Sequence, residues 1–502
     1  MSKNLKFQTL NTLLAEIQDV RTASAILSWD QLTHMPNQGS EMRGRQLSTL
    51  GKIAHEKFTS KEVGELLKSL EGYETQFSYD SYEASLLRLV RKEYDRSTKL
   101  SGEFVAQMLQ HQTATYDVWV KARAENNFNL VLPYLEKTLE FSKKYAQHFQ
   151  YEHIADPLIA ESDEGFTANQ LRTIFSSLRK DLVYLIGEVT KNKMADDSCL
   201  NQFFPIEKQE KFNRMLMGKM GYDYNRGRLD TTHHPFMTSF SHGDVRITTR
   251  YKENDISDSL FSCIHEMGHA FYELGVDEAL DGTFLYGGTS SGVHESQSRL
   301  WENIVARSKS FWTFAYPLLQ EAFPENLAKI SMEQFYAAIN KVSPSLIRTD
   351  ADELTYNLHV MIRFDLELDM LEGNLKVKDL PAAWNERYKK DLGVDVPSDA
   401  NGCLQDVHWF GSLIGGQFQG YTLGNMMSAQ FYQSALKVDS SIQDGLAKGD
   451  FLGLRKWLTS NLYSHGKKFT GREVLKMATG QDLSAVPYVN YLKEKFLPSQ
   501  KL

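Results

Sequence analysis

Helical periodicity constrains the fold of this chain more than any other feature. Apolar side chains in the first 190 residues recur three or four positions apart, as Leu10, Leu13, Leu14 and Ile17 do, which is the spacing of one helix face. Only 12 prolines occur among 502 residues, so long helices can form without interruption. The pattern predicts a mainly α-helical fold whose front part is a series of amphipathic helices.

One short segment has a different period. Val245, Ile247, Thr249 and Tyr251 alternate with polar residues after Gly243, which predicts a β-strand. A stretch rich in glycine and serine, residues 285–292, predicts a flexible loop that leads into another helix. A small β-element is therefore expected beside the histidine-rich helix that lies between these two features.

The polar stretch 194–202, which precedes Pro205, is the best candidate for an internal boundary. The chain is long enough to bury one large core or to divide into several domains. We expect a single domain over 1–502, with a possible subdivision into a helical front half, 1–195, and a catalytic back half, 196–502.

Charge and hydropathy exclude several classes of partner. The net charge of −8 and the pI near 6.0 argue against nucleic acid or an anionic membrane surface. No apolar run approaches the roughly 18 residues that a membrane helix needs, and the first residues have no apolar segment typical of a secretory signal. The three scattered cysteines suit a reducing compartment. We expect a cytoplasmic protein with no nucleic-acid and no membrane partner.

The segment His265-Glu266-Met267-Gly268-His269 lies within an apolar pattern of helical spacing. Ser257 or Asp258 is the expected N-cap of this helix, and Gly275 is its expected end. The two histidines are four positions apart on one face, so both imidazoles can reach one metal ion. Glu266 lies one residue round the helix, where it can act as the general base toward a water at the metal.

A catalytic zinc site needs a third protein ligand and an open position for water. The metzincin pattern would place Gly at 272 and His at 275, where this chain has Tyr272 and Gly275. Glu273 lies about 12 Å along the helix axis from His265, which is too far. Glu295, at the start of a second helix, is the favoured third ligand, and it completes a set of two histidines and one glutamate. The carboxylates that remain open as alternatives are Asp277, Glu278, Asp281 and Glu302.

Further motifs accompany the histidine motif in a fixed order along nearly the whole chain. They are Trp29-Asp-x-x-Thr33-x-Met35-Pro36, His234-Pro-Phe236, Asp244-x-Arg246-x-Thr248, the histidine motif, His294-Glu-Ser-Gln297, Ile347-Arg-x-x-Ala-Asp352 and Gly402-x-x-Gln405-Asp406-x-His408-Trp409. On these motifs the sequence resembles the M32 family of metallocarboxypeptidases, the thermostable carboxypeptidase Taq type.

The resemblance implies a large helical, cleft-bearing metallopeptidase fold like that of neurolysin and angiotensin-converting enzyme, usually in a homodimer. It also implies that single residues are removed from the C-terminus of peptides by an enzyme of the HExxH gluzincin type. One divalent ion per chain is expected, zinc in the first place and cobalt as the alternative. Within the motifs, Glu295 would be the third ligand and Arg348 the anchor for the substrate carboxylate.

One position departs from the wider relatives. Angiotensin-converting enzyme has an aspartate four residues after its ligand glutamate, and this chain has Arg299 there. The side chains that orient the two histidine ligands are therefore not assigned by the sequence.

The chemistry of peptide hydrolysis suggests roles for the remaining candidates. The oxyanion of the reaction needs hydrogen-bond donors besides the metal, and His234 and Tyr421 are candidates. A free C-terminal carboxylate is best recognised by a buried guanidinium, which supports Arg348 as the anchor. Arg246 would hold the substrate backbone or brace the cleft. The last motif supplies three further candidates, Gln405, Asp406 and His408. They would either contact substrate or support the side chains around it.

Two other functions remain open at this point. The same scaffold could serve an oligopeptidase or a dipeptidase, which would also cleave peptides with an amidated C-terminus. The chain could instead be an inactive metal-binding scaffold that acts through dimerisation. Glu266 argues against the second alternative, because binding of zinc alone needs no general base.

Overall fold

The helical periodicity of the front part is realised as a run of helices in the computed structural model, which describes residues 2–497. Most of these helices begin at a Ser or Thr whose side chain accepts a hydrogen bond from the first turn. In chain order they are α1 (Lys3–Thr33), α2 (Ser40–Phe58), α3 (Lys61–Ser69), α4 (Tyr82–Lys99), α5 (Gly102–Ala124), α6 (Leu132–Gln147), α7 (Asp156–Ser162), α8 (Ala168–Val189) and α9 (Ile206–Met220).

The back part is helical as well, apart from one small sheet. Its helices are α10 (Ile256–Leu274), α11 (Ser291–Arg299), α12 (Lys309–Ala322), α13 (Pro324–Leu327), α14 (Met332–Ile339), α15 (Tyr356–Glu372), α16 (Leu380–Leu392), α17 (His408–Gly411), α18 (Gln419–Val438), α19 (Ser441–Lys448), α20 (Leu452–Asn461), α21 (Gly471–Thr479) and α22 (Val486–Phe496). The prediction of a mainly α-helical fold with one small β-element is confirmed.

The β-element is a three-stranded sheet. Its strands are β1 (Leu229–Thr231), β2 (Met237–Ser241) and β3 (Asp244–Thr249), in the order β1-β3-β2, with β3 parallel to β1 and antiparallel to β2. Strand β3 ends at Thr249, two residues before the predicted Tyr251, where Arg250 pairs with Asp258 of α10 (Nε–Oδ2 2.8 Å). The sheet contacts α10 directly, because Thr249 Oγ1 lies 2.8 Å from Ser262 Oγ.

Helix α10, which carries the histidine motif, begins earlier than the sequence predicts. Its N-cap is Asp255 rather than Ser257 or Asp258, because the Asp255 carboxylate accepts hydrogen bonds from both the backbone N (2.9 Å) and the hydroxyl (2.6 Å) of Ser257. Gly275 ends the helix, as predicted. Nearly every turn of α10 is buried, so its position is fixed from all sides.

Helix α11 lies between α10 and α18, and glycines make both contacts close. A Cβ on Gly268 of α10 would come within 2.7 Å of the Gln297 carbonyl, and one on Gly424 of α18 within 2.6 Å of Glu295 Cγ. Because neither glycine has a side chain, α11 sits deep between its neighbours and presents Glu295 to the histidines of α10. Helix α11 then continues as a π-helical turn, Leu300–Val305, a feature that is frequent at functional sites.

The described residues form two hydrophobic clusters. The smaller one joins α1–α4 to the segment after α10, where Phe58 stacks on Phe284 at 5.5 Å. The larger one includes Phe175 of α8 together with Trp301 and Trp312 of the back part, so it contains side chains from both sides of residue 195. Within 2–497, no helix is both long and apolar enough to cross a membrane.

The close contact at Gly424 generates a prediction. We expect Gly424→Ala to destabilise the protein by about 1–3 kcal/mol, because an added Cβ overlaps the Glu295 side chain in a packed interior. The displacement of Glu295 should also weaken binding of a divalent ion. Urea unfolding and a metal-binding titration measure the two effects.

Gly187→Ala is the matched control, since Gly187 is exposed on α8 and has no atom within 4 Å of its Cβ position. This change should leave metal binding unaltered and raise stability by up to about 1 kcal/mol. Equal stability and equal metal affinity in Gly424→Ala and the wild type would contradict the packing argument.

Candidate metal centre and active site

Three side chains converge between α10 and α11. Glu295 Oε2 lies 3.9 Å from His265 Nε2 and 3.6 Å from His269 Nε2, and one ligand atom from each residue lies within 4.8 Å of the other two. A tetrahedral ion with bonds of about 2.1 Å separates its ligand atoms by about 3.4 Å. The three donor atoms and the distances between them therefore fit one divalent ion. Their residues, His265, His269 and Glu295, are the three that the sequence favours.

The alternative carboxylates are placed elsewhere. Asp277 Oδ1 accepts a hydrogen bond from Ala279 N (3.0 Å), and Asp281 Oδ1 accepts one from His242 N (3.0 Å), both in the loops outside the cluster. Glu278 is exposed in the same loop. Glu302 is close to the site, but its carboxylate contacts the far nitrogen of His265 instead of joining the ligand atoms.

Glu302 orients His265. Its Oε2 lies 2.8 Å from His265 Nδ1, so it accepts a hydrogen bond from the N–H at that position and leaves Nε2 free to bind a metal. Burial opposes ionisation of Glu302, but Arg299 and His265 hold the pKa of this carboxyl well below its usual range. Glu302 thus supplies one of the orienting side chains that the sequence left unassigned.

A longer chain of contacts orients His269. Its Nδ1 lies 2.7 Å from His294 Nδ1, and His294 Nε2 lies 2.9 Å from Glu273 Oε1. Glu273 also accepts a hydrogen bond from Gly288 N (2.8 Å). Because the carboxylate must accept from His294 Nε2, His294 Nδ1 must accept from His269 Nδ1, which leaves His269 Nε2 free for the ion. Burial also lowers the pKa of His269 well below its usual value, so its ring is neutral, as a metal ligand must be.

Glu266 is buried beside these ligands. Burial raises the pKa of Glu266 to about 7; His265 opposes this change, and the nearby carboxylates Glu295 and Glu302 add to it. A carboxyl group with a pKa near neutrality is well matched to accept and return a proton at neutral pH. Glu266 therefore lies beside the candidate ligands with a pKa close to neutrality.

A cavity of about 400 Å³ opens on the ligand cluster, with His269 and Glu295 on one wall and Tyr421 of α18 on another. The Tyr421 hydroxyl lies 3.2 Å from His408 Nε2, and its ring centroid lies 5.1 Å from Arg348 Cζ. Burial and the neighbouring Arg348 lower the pKa of His408 to about 4, so this imidazole is neutral at pH 7. Tyr421 thus connects the metal cavity to a second group of charged residues.

That second group has a net positive charge. Arg348 donates to Asp406 through Nε (3.1 Å to Oδ2) and NH2 (2.9 Å to Oδ1), and through NH1 to the Tyr356 hydroxyl (3.0 Å). Arg363, which is fully buried, also pairs with Asp406. Although burial favours the neutral acid, Arg363 and Arg348 hold the pKa of Asp406 well below its usual range. Two guanidinium groups therefore share one carboxylate, and the cluster lacks one negative charge.

The remaining residues predicted for the site differ in their surroundings. The Gln405 amide is fully engaged within the protein, since it accepts from Arg348 N (3.0 Å) and Arg363 NH2 (2.8 Å) and donates to two backbone carbonyls. Arg246 pairs with Asp244 at 2.7 Å, and its Cζ lies 4.4 Å from the centre of the Trp29 ring, so these contacts tie β3 to α1. His234 is exposed before β2, and its ring makes no hydrogen bond within residues 2–497.

Sequence reasoning did not foresee the roles of several residues of this region, among them His294, which lies in the same motif as Glu295. Arg299 and Glu302 follow Glu295 by four and seven positions, a spacing that places all three on one helix face and that could have revealed them. For Glu273 the helix geometry excluded a role as a metal ligand and indicated no other role. Arg363 stands outside every motif, and the sequence carried no signal for its contact with Asp406.

Comparisons with known proteins agree with this geometry. The family model described as carboxypeptidase Taq (M32) metallopeptidase matches residues 9–496. Carboxypeptidase 1 of Bacillus subtilis is 38% identical over 490 residues, which covers 96% of both chains. Thermostable carboxypeptidase 1 of Thermus thermophilus is 36% identical over 507 residues and 99% of both chains. The crystal structure of an M32 carboxypeptidase from Deinococcus radiodurans R1 has a TM-score of 0.96 and 45% identity, covering 98% of this chain and 99% of that one.

The contact between Glu302 and His265 generates a prediction. We expect Glu302→Gln to weaken zinc binding by roughly tenfold, at the lower end of the range for residues that orient metal ligands, because the amide still accepts the hydrogen bond but lacks the charge. A chelator competition titration measures the zinc dissociation constant. Glu278→Gln, which neutralises an exposed carboxylate of the adjoining loop, should leave that constant unchanged. Identical affinities in the two variants would argue against an orienting role for Glu302.

Proposed function

The chain belongs to the carboxypeptidase Taq (M32) family of metallopeptidases, and it is on this basis a metal-dependent carboxypeptidase; we propose that it removes single amino acids from the free C-terminus of peptides. The observation that carries this proposal is the position of the Arg348 cluster, which lacks one negative charge and adjoins, through Tyr421, the cavity that contains the ligand triad. A peptide whose last carboxylate reaches Arg348 would present its final bond near the triad.

His265 and His269, through Nε2, and Glu295, through Oε2, are the residues that would bind the metal ion. We propose zinc, with cobalt as the alternative, because two imidazoles and one carboxylate form a frequent catalytic zinc set. When bound, such an ion supplies a water of lowered pKa and a Lewis acid for a carbonyl oxygen.

The side chains of the protein would then move and stabilise charge. Glu266 would take a proton from the attacking water and return it to the leaving amine, which its pKa of about 7 favours. The Tyr421 hydroxyl would donate to the developing oxyanion, since it lines the cavity beside His269 and Glu295. His234, the other predicted donor, is exposed, so Tyr421 is the better placed of the two.

Arg348 would distinguish the end of a peptide from its middle. Three of its five N–H donors are used by Asp406 and Tyr356, which leaves two for a carboxylate. Gln405 and His408 would support this arrangement, because the Gln405 amide fixes the Arg348 backbone and His408 contacts Tyr421. An internal peptide bond or an amidated terminus has no charge to satisfy the cluster, so it would bind poorly.

The organisation of the chain is part of the proposal. A single peptidase domain over 1–502 is supported by the larger hydrophobic cluster, which unites residues from the front and back halves. We also propose a homodimer, on the basis of the family resemblance, and a cytoplasmic location, on the basis of the sequence. Sedimentation of the purified protein tests the first, and fractionation of the cells that make the protein tests the second.

The role of Glu266 generates a prediction. We expect Glu266→Gln to keep its metal ion but to lose about 10²–10⁴-fold in kcat, because the amide preserves the shape of the side chain and cannot accept the proton. Metal analysis and release of free amino acid from a short peptide are the two measurements. Turnover close to that of the wild type, in a variant shown to be fully loaded with metal, would exclude Glu266 as the general base.

The Arg348 cluster generates a second prediction. A charge-assisted hydrogen bond is worth about 1.5–3 kcal/mol, so Arg348→Met should lower kcat/KM on free-acid peptides by roughly tenfold to a few hundredfold. The same variant should hardly change the slow cleavage of matched peptides with an amidated C-terminus. Both substrates are compared with metal content held constant.

Arg387→Met provides the matched control, since Arg387 forms ion pairs with Asp365 and Asp369, outside the Arg348 cluster. It should leave both substrates unaffected. Equal losses on acid and amide peptides in Arg348→Met would instead mean that Arg348 supports the fold.

A further inference from the structure

Arg299 contacts two parts of the metal centre at once. Its Nε donates to Glu295 Oε1 at 2.7 Å, and its NH1 lies 3.3 Å from Glu302 Oε2. The guanidinium lies over the Tyr356 ring at 4.4 Å, and the side chain is largely buried. These contacts fix the plane of the guanidinium relative to both carboxylates.

The contact with Glu295 divides the two oxygens of this carboxylate between different partners. Oε2 faces the histidine nitrogens at 3.9 and 3.6 Å, and Oε1 faces Arg299 at 2.7 Å. An oxygen that accepts a charge-assisted bond is less available to a metal ion. If Oε1 were free, both oxygens could bind the ion, and with the two histidines they would fill the four positions of a tetrahedral site.

We propose that Arg299 keeps Glu295 a ligand through one oxygen, and so keeps one position at the metal open for the reacting water. This inference rests on the proposed ligand set of His265, His269 and Glu295. Arg299 acts through Glu295 and is a positioning residue. Its effect depends on the hydrogen bond to Glu295 Oε1, which keeps that oxygen away from the metal ion, and not only on its positive charge.

Arg307 offers a control that distinguishes the specific contact with Glu295 from the general effect of a nearby positive charge. This second arginine lies near the same acidic group, with NH2 3.5 Å from Glu302 Oε1, but its other contacts are the Ile339 carbonyl (2.6 Å) and the Phe261 ring (3.7 Å). No hydrogen bond joins it to Glu295 within residues 2–497. Arg307→Met therefore removes a nearby positive charge and leaves both Glu295 oxygens where they are.

The first test is a crystal structure of the zinc-loaded wild-type protein. We expect one Glu295 oxygen at about 2.0–2.2 Å from zinc, with the other still bonded to Arg299. Two Glu295 oxygens at bonding distance would overturn the inference. A protein that takes up no ion, or takes it up elsewhere, would mean that the ligand set itself is wrong, which is a separate failure.

The second test measures the affinity of the cobalt-loaded protein for azide, which binds at the open position. The visible spectrum of the cobalt ion reports the binding. We expect Arg299→Met to bind cobalt but to bind azide about tenfold more weakly, because the freed oxygen competes for the position. Arg307→Met should bind azide as the wild type does. Arg299→Lys, which keeps the charge but cannot reach both carboxylates, should fall between them and serves if Arg299→Met does not fold. The inference would be overturned by an equal loss of azide affinity in Arg299→Met and Arg307→Met. It would also be overturned if no Arg299 variant lost azide affinity.

Discussion

The centre of this structure depends on two histidine nitrogens that must present lone pairs toward one point. An imidazole does so when its other nitrogen carries the proton and donates a hydrogen bond. Each candidate ligand has an acceptor for this bond: Glu302 for His265, and His294, which is itself bonded to Glu273, for His269. The helices are placed to satisfy these contacts. The glycine contacts let α11 approach α10 and α18 closely, and this approach brings both Glu295 and Glu302 to the histidines.

Charge is distributed in two groups of opposite sign. Around the ligands, the three carboxylates Glu273, Glu295 and Glu302 outnumber the two arginines, Arg299 and Arg307, that contact this group, so the site attracts a cation. Around Asp406, arginines outnumber carboxylates, so that site attracts an anion. Tyr356 and Tyr421 lie between the two groups. The Tyr356 hydroxyl accepts a hydrogen bond from Arg348, and the Tyr421 ring faces the same guanidinium at 5.1 Å. A peptide end, with a scissile carbonyl and a terminal carboxylate close together, matches this arrangement, which a general metal-binding scaffold would not need.

Local patterns in the sequence account for the parts of the site that lie on one element. The spacing of His265 and His269 indicated their common face, and the alternation that begins at Val245 indicated β3. Strand β3 nevertheless ends two residues early, where Arg250 pairs with Asp258, and α10 begins earlier than predicted because Asp255 caps it. Glu302 could have been found from its helical spacing to Glu295. Glu273 with His294, and Arg363 with Asp406, could not, because these pairs join separate elements whose distance depends on the packed core.

The arginine at position 299 explains why the orienting side chains had to be sought elsewhere. Where angiotensin-converting enzyme has an aspartate, this chain has a side chain that can only donate hydrogen bonds, so position 299 cannot accept a proton from either histidine. Acceptors are instead supplied three residues further on, by Glu302, and from the last turn of α10 itself, by Glu273 through His294. Arg299 then bonds to the carboxylates on either side of it, Glu295 and Glu302. The candidate ligands of this chain are thus oriented by Glu302 and by Glu273 with His294, and the positive charge at position 299 is balanced by the acidic residue three positions later.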